Sequence, residues 1–249
     1  MNMNTKFFSR KQNILYHLGL YGLANLLIDY GVVRKDLYYS PLFKRSTTQI
    51  LIRHYGGQSG HKIDKSTGNL GFGLLHYAFI NLIRPERVLC IGSQYGFIPA
   101  VCALACKDNR WGHVDFVDAG KEENDKGSWG GKGFWKKTSP QKHFSILSLN
   151  SWITVHVMSS NSFARKSKRK WEYIYIDSDH SYEGVRSDYD LFWPRLTAGG
   201  MMSFHDINLK GLYKGVEYGV WRFWKELREP YKMAFNFGES SLGFIQKNE

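Results

Sequence analysis

The stretch from Tyr173 to Ile207, YIYIDSDHSYEGVRSDYDLFWPRLTAGGMMSFHDI, decides the fold. It opens on a short apolar run, Tyr173–Ile176, which reads as a buried strand. An amphipathic helix follows: Val185, Tyr189, Phe192 and Leu196 recur at helical spacing and form its apolar face, while Asp188 and Asp190 point elsewhere. Gly199-Gly200 then reads as a tight turn into a further strand, Met201–Phe204. Strand, helix, strand implies a parallel crossover, which is right-handed in nearly every known case.

Working outward, the same alternation holds from residue 86 onward. Arg87–Ile91, His113–Val117 and Ile153–Met158 are apolar runs of the kind expected when helices cover both faces of a sheet. A helix rich in Ala, Val and Leu spans Ile98 to Ala105, after a glycine turn. Near the end, Met233–Phe237 and Leu242–Gln246 flank Gly238-Glu239-Ser240-Ser241 and read as a closing antiparallel hairpin. The fold class is therefore α/β, with a doubly wound, mainly parallel sheet. Residues 1–70 differ in character and read as an N-terminal helical cap on the domain of residues 71–249.

Composition excludes several classes. The 249 residues are 43% hydrophobic and 16% aromatic against 22% charged, so the chain buries a core rather than staying disordered. Three cysteines, Cys90, Cys102 and Cys106, are too few for a disulfide framework and form no C-x-x-C pair; they suit a reducing, cytoplasmic setting. Ile14–Ile28 is apolar after basic residues, but His17 and Asn25 interrupt it and no cleavage site follows; it reads as a docking helix, with a membrane-surface helix as the alternative. The net charge of +12 admits nucleic acid, an anionic membrane face or an acidic small substrate.

In a doubly wound sheet, ligands gather where strands end at their carboxyl side. That rule selects Gly92–Gly96, Asp118, Ser159-Ser160, Asp177–His180 and His205-Asp206. Gly92-Ser93-Gln94-Tyr95-Gly96 joins a strand to a helix, where backbone can approach a ligand at the helix N-terminal amides. Asp118 ends the next strand, where a carboxylate can accept from ribose hydroxyls; the pair favours an adenosine-bearing cofactor. Asp177 and Asp206 end neighbouring strands and would converge into an oxygen-rich site for a hard divalent ion such as Mg2+, unless they cap the following helices instead. His180, three residues after Asp177, has the ordinary pKa of a general base. Asp179 reads either as a ligand or as a cap.

VLCIGSQYG, VDFVDAG and the opening stretch, with its D-x-D-H-S-Y-E-G-V block and G-G-x-x-x-F-H-D ending, together resemble the class I S-adenosylmethionine-dependent methyltransferases. The likeness is to the small-molecule O-methyltransferase branch of catechol-type and sugar-tailoring enzymes, and covers roughly residues 70–249. It implies a Rossmann-like seven-stranded sheet. It further implies that Gly92, Ser93, Gln94 and Gly96 contact the methionine part of S-adenosyl-L-methionine, Asp118 the ribose, and Ser159 and Ser160 the adenine edge. His180 would deprotonate the acceptor, and a divalent metal, Mg2+ first, would be held by Asp177, His205 and Asp206. Cys90 and Gln94 stand where the family commonly has an acidic residue and glycine, and His205 shifts metal preference towards Mn2+ or Zn2+.

The leading expectation is methyl transfer to a hydroxyl of a small acceptor, a sugar or glycoconjugate, with metal assistance. An RNA or DNA methyltransferase and a noncatalytic membrane- or partner-binding protein of the same fold are the alternatives. Against nucleic acid, the chain has no Asn-Pro-Pro-Tyr-like motif. An anionic acceptor, peripheral membrane association through the basic N-terminus and homo-oligomerisation are all compatible with the sequence. The loop Gly120–Lys142, rich in glycine and lysine, and the side chains Trp129, Trp135, His143 and Tyr182 are candidate acceptor walls. The run Arg165–Lys170, RKSKRK, reads as a solvated basic turn at the opposite sheet edge.

Overall fold

The computed structural model describes residues 44–56, 60–126, 128–129, 131–238 and 240–248; Ile14–Ile28 lies outside the described residues. The central sheet has seven strands: β1 (Arg87–Gly92), β2 (His113–Asp118), β3 (Ile153–Val157), β4 (Trp171–Asp177), β5 (Leu196–His205), β8 (Tyr231–Phe237) and β9 (Ser240–Gln246). Their spatial order is β3-β2-β1-β4-β5-β9-β8. The first five run parallel, and β9 pairs antiparallel with both β5 and β8. The chain order reverses direction beside β1, so the open edge above β1 and β4 is where a ligand crevice forms.

The helices follow from the same apolar patterning. α1 (Arg45–Ile50) runs into a single π-helical turn, Leu51–Tyr55. α2 (Gly73–Ile83) and α3 (Phe97–Asn109) pack against each other, and α3 is buried from Phe97 to Cys106. Short helices α4 (Phe134–Lys137) and α5 (Pro140–Phe144) close the loop after β2, α6 (Ser160–Lys166) follows β3, α7 (Tyr182–Phe192) joins β4 to β5, and α8 (Val220–Glu226) precedes the last hairpin. One face of the sheet carries Trp171, Ile174, Ile176, Met202 and Phe204, covered by Val185 and Phe192 of α7 and by Val220 and Phe223 of α8. All three cysteines are free and buried. Burial pushes the Cys102 and Cys106 thiols well up, which leaves them unreactive. Among the described residues, no helix is long and apolar enough to cross a membrane.

Two details depart from the sequence reading. Gly199 and Gly200 lie inside β5, not in a turn before it; the β4–β5 register shifts between Trp171 and Tyr173, so the pair absorbs a bulge. Asp188 lies inside, on the buried face of α7 with Val185 and Phe192, while Tyr189 is only partly buried. A small hairpin, β6 (Leu212–Tyr213) with β7 (Val216–Glu217), stands beyond β5 and has no clear sequence signal beyond its turn glycine.

Candidate active site

Gly92 ends β1 with φ +78, and a Cβ there would stand 2.0 Å from the Asp177 carbonyl oxygen. Only glycine fits, because β1 and β4 pair Gly92 directly with Asp177. Ser93 follows at φ 121 and Gly96 at φ +81, turning the chain into α3. Above this turn lies a cavity of about 250 Å³ lined by Gly92, Ser93, Gln94, Asp118, Ser159 and Ser160, among others. Gly96 is one step outside that lining, beneath Trp135 and Phe144. Asp118 accepts from the Gly120 amide at 2.7 Å. Burial raises its pKa to about 6, helped by the Asp177 charge and opposed by that amide. Ser159 caps α6 through the Ser162 amide. Asp188 reaches the same cavity and accepts a hydrogen bond from the Ser178 hydroxyl.

At the far wall of the cavity, β4 and β5 deliver the titratable groups. Ile176 pairs with Phe204, so His205 is the residue beside Asp177, and Asp206 follows at φ +57, a left-handed turn. His205 Nε2 faces the Gly60 carbonyl at 2.8 Å and, since a carbonyl only accepts, must carry the proton. Its Nδ1 stands 3.1 Å from Asp177 Oδ1 and 3.4 Å from Asp206 Oδ1, yet is buried without a properly aligned hydrogen bond. His180 Nε2 is 3.4 Å from Asp206 Oδ2 and 3.8 Å from Asp177 Oδ1. Asp177, His180 and His205 each offer a ligand atom, all within 4.8 Å of one another.

The charges balance inside the cluster. Burial disfavours the Asp177 carboxylate, but His205, His61 and His180 together hold its pKa well below the usual range. Burial likewise works against charge on His205, and the carboxylates of Asp177 and Asp206 outweigh it, raising its pKa well above the ordinary value. For His180 burial wins, and its pKa is lowered despite Asp206 and Asp177, which keeps the imidazole neutral and able to take a proton.

The capping alternative for the two aspartates does not hold. Ser181 caps α7 by accepting from the Gly184 amide, and Asp179 accepts from the Ser181 amide and from Trp129 Nε1, so Asp179 serves the turn and stands outside the Asp177–His180–His205 group. Sequence reasoning missed His61. Its Nε2 lies 3.9 Å from Asp177 Oδ2, and its ring packs 4.5 Å from that of His205 and 5.5 Å from that of Phe97. It also missed Tyr213 and Tyr218, which with Trp129 form an aromatic wall beside His180: Trp129 stacks on Tyr213 at 5.5 Å and stands 4.8 Å from Tyr218. His180 lies 5.5 Å from Trp129. Of the other expected walls, His143 is buried under the glycine turn, bonded to the Tyr95 carbonyl, with its pKa lowered to about 4 chiefly by burial. Trp135 lines the cavity above the glycine turn, and Tyr182 turns outward to Glu226.

Residues 89–207 match a sequence family described as a methyltransferase domain. The likeness to methyltransferase domains lies in that stretch, just under half of the chain, and the sheet order of the chain is compatible with it. Among solved structures it is similar in fold to a protein from Klebsiella pneumoniae assigned to the O-methyltransferases, with 13% identity, TM-score 0.57, and coverage of 92% of this chain and 97% of the other. It is similar also to the O-methyltransferase TomG from Streptomyces achromogenes, solved with SAM, at 12% identity, TM-score 0.55 and coverage of 82% and 89%. A third likeness is to an O-methyltransferase from Bacillus cereus in complex with SAH, at 12% identity, TM-score 0.51 and coverage of 91% and 97%. At such identities the likeness is one of fold. A protein of Sinorhizobium fredii, y4gI, is 20% identical over 187 residues, 74% of this chain, and the chain spans only 20% of that relative's length.

Proposed function

We propose that the methyltransferase domain binds S-adenosyl-L-methionine and transfers its methyl group to a hydroxyl of a small acceptor, a sugar or glycoconjugate, with a divalent metal at the β4–β5 strand ends. One observation carries this reading: Asp177 belongs to both halves of the site, lining the cofactor-side cavity and contacting His205 and His180. A methyl donor seated in the cavity would therefore present its reactive end to the histidine cluster.

In this scheme the backbone of Gly92–Gln94 lies along the methionine portion, Asp118 accepts from the ribose hydroxyls, and Ser159 and Ser160 face the adenine. His180 takes the acceptor proton on its free nitrogen lone pair as the acceptor oxygen attacks the methyl carbon. The C–O bond forms, the C–S bond breaks, and the sulfonium becomes a neutral thioether. Trp129, Tyr213 and Tyr218 supply the flat apolar faces on which a sugar ring can rest.

The residues present fit a metal. With Nε2 donating to the Gly60 carbonyl, His205 Nδ1 is the nitrogen that faces Asp177 and Asp206, and a divalent ion would take the place of the proton that this nitrogen otherwise carries between the two carboxylates. Asp177, His205 and Asp206 would hold the ion, which when bound lowers the pKa of the acceptor hydroxyl. The nucleic-acid reading is weaker, because Lys136 and Lys137 of the long loop are engaged by Asp125 and Glu122 within that loop. The three buried thiols suit the reducing cytoplasm.

The test is methyl transfer from labelled S-adenosylmethionine to a panel of sugars and phenols, with and without chelator, for the wild type and His180→Ala. Unchanged turnover under chelation and in the variant would sink both the metal and the base assignments.

A further inference from the structure

We propose that the amino-terminal edge of the sheet, at the opposite end from the candidate active site, docks on the surface of an anionic lipid bilayer. Three exposed apolar side chains, Leu82, Trp111 and Ile146, stand there among unpaired cations.

Topology brings them together. β1 to β4 are parallel, so the segments that enter them all lie at one end of the sheet. Leu82 lies at the end of α2, Trp111 just after α3 and Ile146 just after α5, and they are 78%, 51% and 50% exposed. The last turn of α3 fastens their segments to one another: Asn109 Nδ2 donates to the Ile80 carbonyl at 3.3 Å, and Lys107 Nζ donates to the Leu147 carbonyl at 2.6 Å. Trp111 also shares a groove with Arg87 and Arg169, which joins the basic run before β4 to the same edge. One exposed apolar side chain needs no explanation, but three on adjoining, hydrogen-bonded turns mark an interaction surface.

The charge around them is of one sign. Arg165–Lys170 holds five cations in six positions, all exposed, and Arg195 fixes the turn by donating to the Ser167 and Ala164 carbonyls at 2.7 and 2.8 Å. Arg84 and Arg110 end α2 and α3 in the left-handed conformation, φ 49 and 51, where glycine is the stable choice, and the chain keeps a cation at both. Arg87 pairs with Glu86 and Arg169 with Asp115. Among the described residues, Arg84, Arg110, Lys166, Lys168 and Lys170 have no carboxylate within salt-bridge distance, so their field is turned to solvent.

Charge alone would suit a polyphosphate and a bilayer equally, and the apolar members decide between them. Leu82 and Ile146 have neither a stacking face nor a hydrogen-bonding group, and nucleic acid is held by stacking and by phosphate contacts. A bilayer surface takes aliphatic side chains at the acyl boundary, Trp at the headgroup level and Lys or Arg against anionic headgroups. With six residues in β1, the strand ends of the active site would stand about 20 Å from the lipid and open towards water.

The experiment co-sediments the full chain with phosphatidylcholine vesicles, with and without phosphatidylserine. The wild type is compared with the triple variant Lys166→Ser, Lys168→Ser, Lys170→Ser and with Trp111→Ser. The wild type should bind the phosphatidylserine vesicles and leave pure phosphatidylcholine unbound. The triple variant should bind at least about tenfold more weakly. Trp111→Ser should bind at least about fivefold more weakly, and what remains should vanish as salt is raised. All four side chains are exposed, and thermal melts followed by circular dichroism separate lost binding from lost fold. Two outcomes overturn the proposal: a wild type that ignores phosphatidylserine, and binding that both variants keep in full, which would place the contact elsewhere in the chain. A single-stranded RNA that binds more tightly than the vesicles and displaces the chain from them overturns the lipid assignment in favour of nucleic acid.

Discussion

The two halves of the site are built from different materials. On the β1–β3 side the cavity is shaped by backbone: the left-handed turn at Gly92, the amides after it, and the capped start of α6 do most of the shaping, with Asp118 as the charged contribution. On the β4–β5 side the backbone merely delivers side chains, and the chemistry sits in five titratable groups packed against one another, His61, Asp177, His180, His205 and Asp206. A backbone-built pocket tolerates side-chain change except where a Cβ would intrude. A side-chain cluster fails whenever one member is lost, because the charges left behind are buried and unpaired.

That contrast can be broken or sharpened by substitution. The largest effect is expected for His180→Ala: removal of a general base lowers kcat by about 10²–10⁴-fold, while the affinity for S-adenosylmethionine measured by calorimetry stays within a few fold. Comparable loss of cofactor binding would erase the division of labour. Next is Gly92→Ala, which forces a side chain onto the Asp177 carbonyl at positive φ. It should destabilise the fold by more than about 1 kcal/mol in a denaturant melt and abolish cofactor binding, since it distorts both strand ends together.

Smaller, and specific to the acceptor side, is Trp129→Ala. It removes the ring stacked on Tyr213 and should raise the acceptor KM roughly fivefold, as expected for about 1 kcal/mol of aromatic contact. On the cofactor side, Asp118 titrates at about 6, above the ordinary carboxyl value. Below that pH it is protonated and loses acceptor capacity, so cofactor affinity should fall as pH drops through 6, by at most about tenfold per unit, and level off above it. Asp118→Asn should flatten that profile. The mildest is Ser181→Ala, which removes the cap on α7 and should cost about 1 kcal/mol of stability with little change in cofactor affinity.

The same division governs what could be read in the chain. The five parallel strands were legible because each is covered on both faces and so spells a continuous apolar run. Asp118, Asp177, His180, His205 and Asp206 were legible because strand-end position is fixed by those runs. Asp188 was hidden by the habit of assigning faces from apolar residues: it lies three residues after Val185 and four before Phe192, the spacing of the buried face, and only its charge argued otherwise. Gly199-Gly200 misled for a similar reason, since a glycine pair signals a turn and a strand bulge equally. His61 had no local signature. It sits among Gly, Ser and Lys in a segment that reads as loop, and only the folded chain brings it beside a strand end. The aromatic wall from β6–β7 was missed because two-residue strands carry no period.

The hydrogen bond from His205 to the Gly60 carbonyl joins residues 145 positions apart in the chain. Its consequence concerns transplantation. The segment matched by the methyltransferase family, residues 89–207, contains Asp177, His180, His205 and Asp206 but neither Gly60 nor His61. Grafted alone into a related scaffold, it would bring the imidazole of His205 without the carbonyl that anchors Nε2 and so aims Nδ1 at the two aspartates. The ring would then be free to turn over, and the borrowed cluster would arrive with its polarity unset.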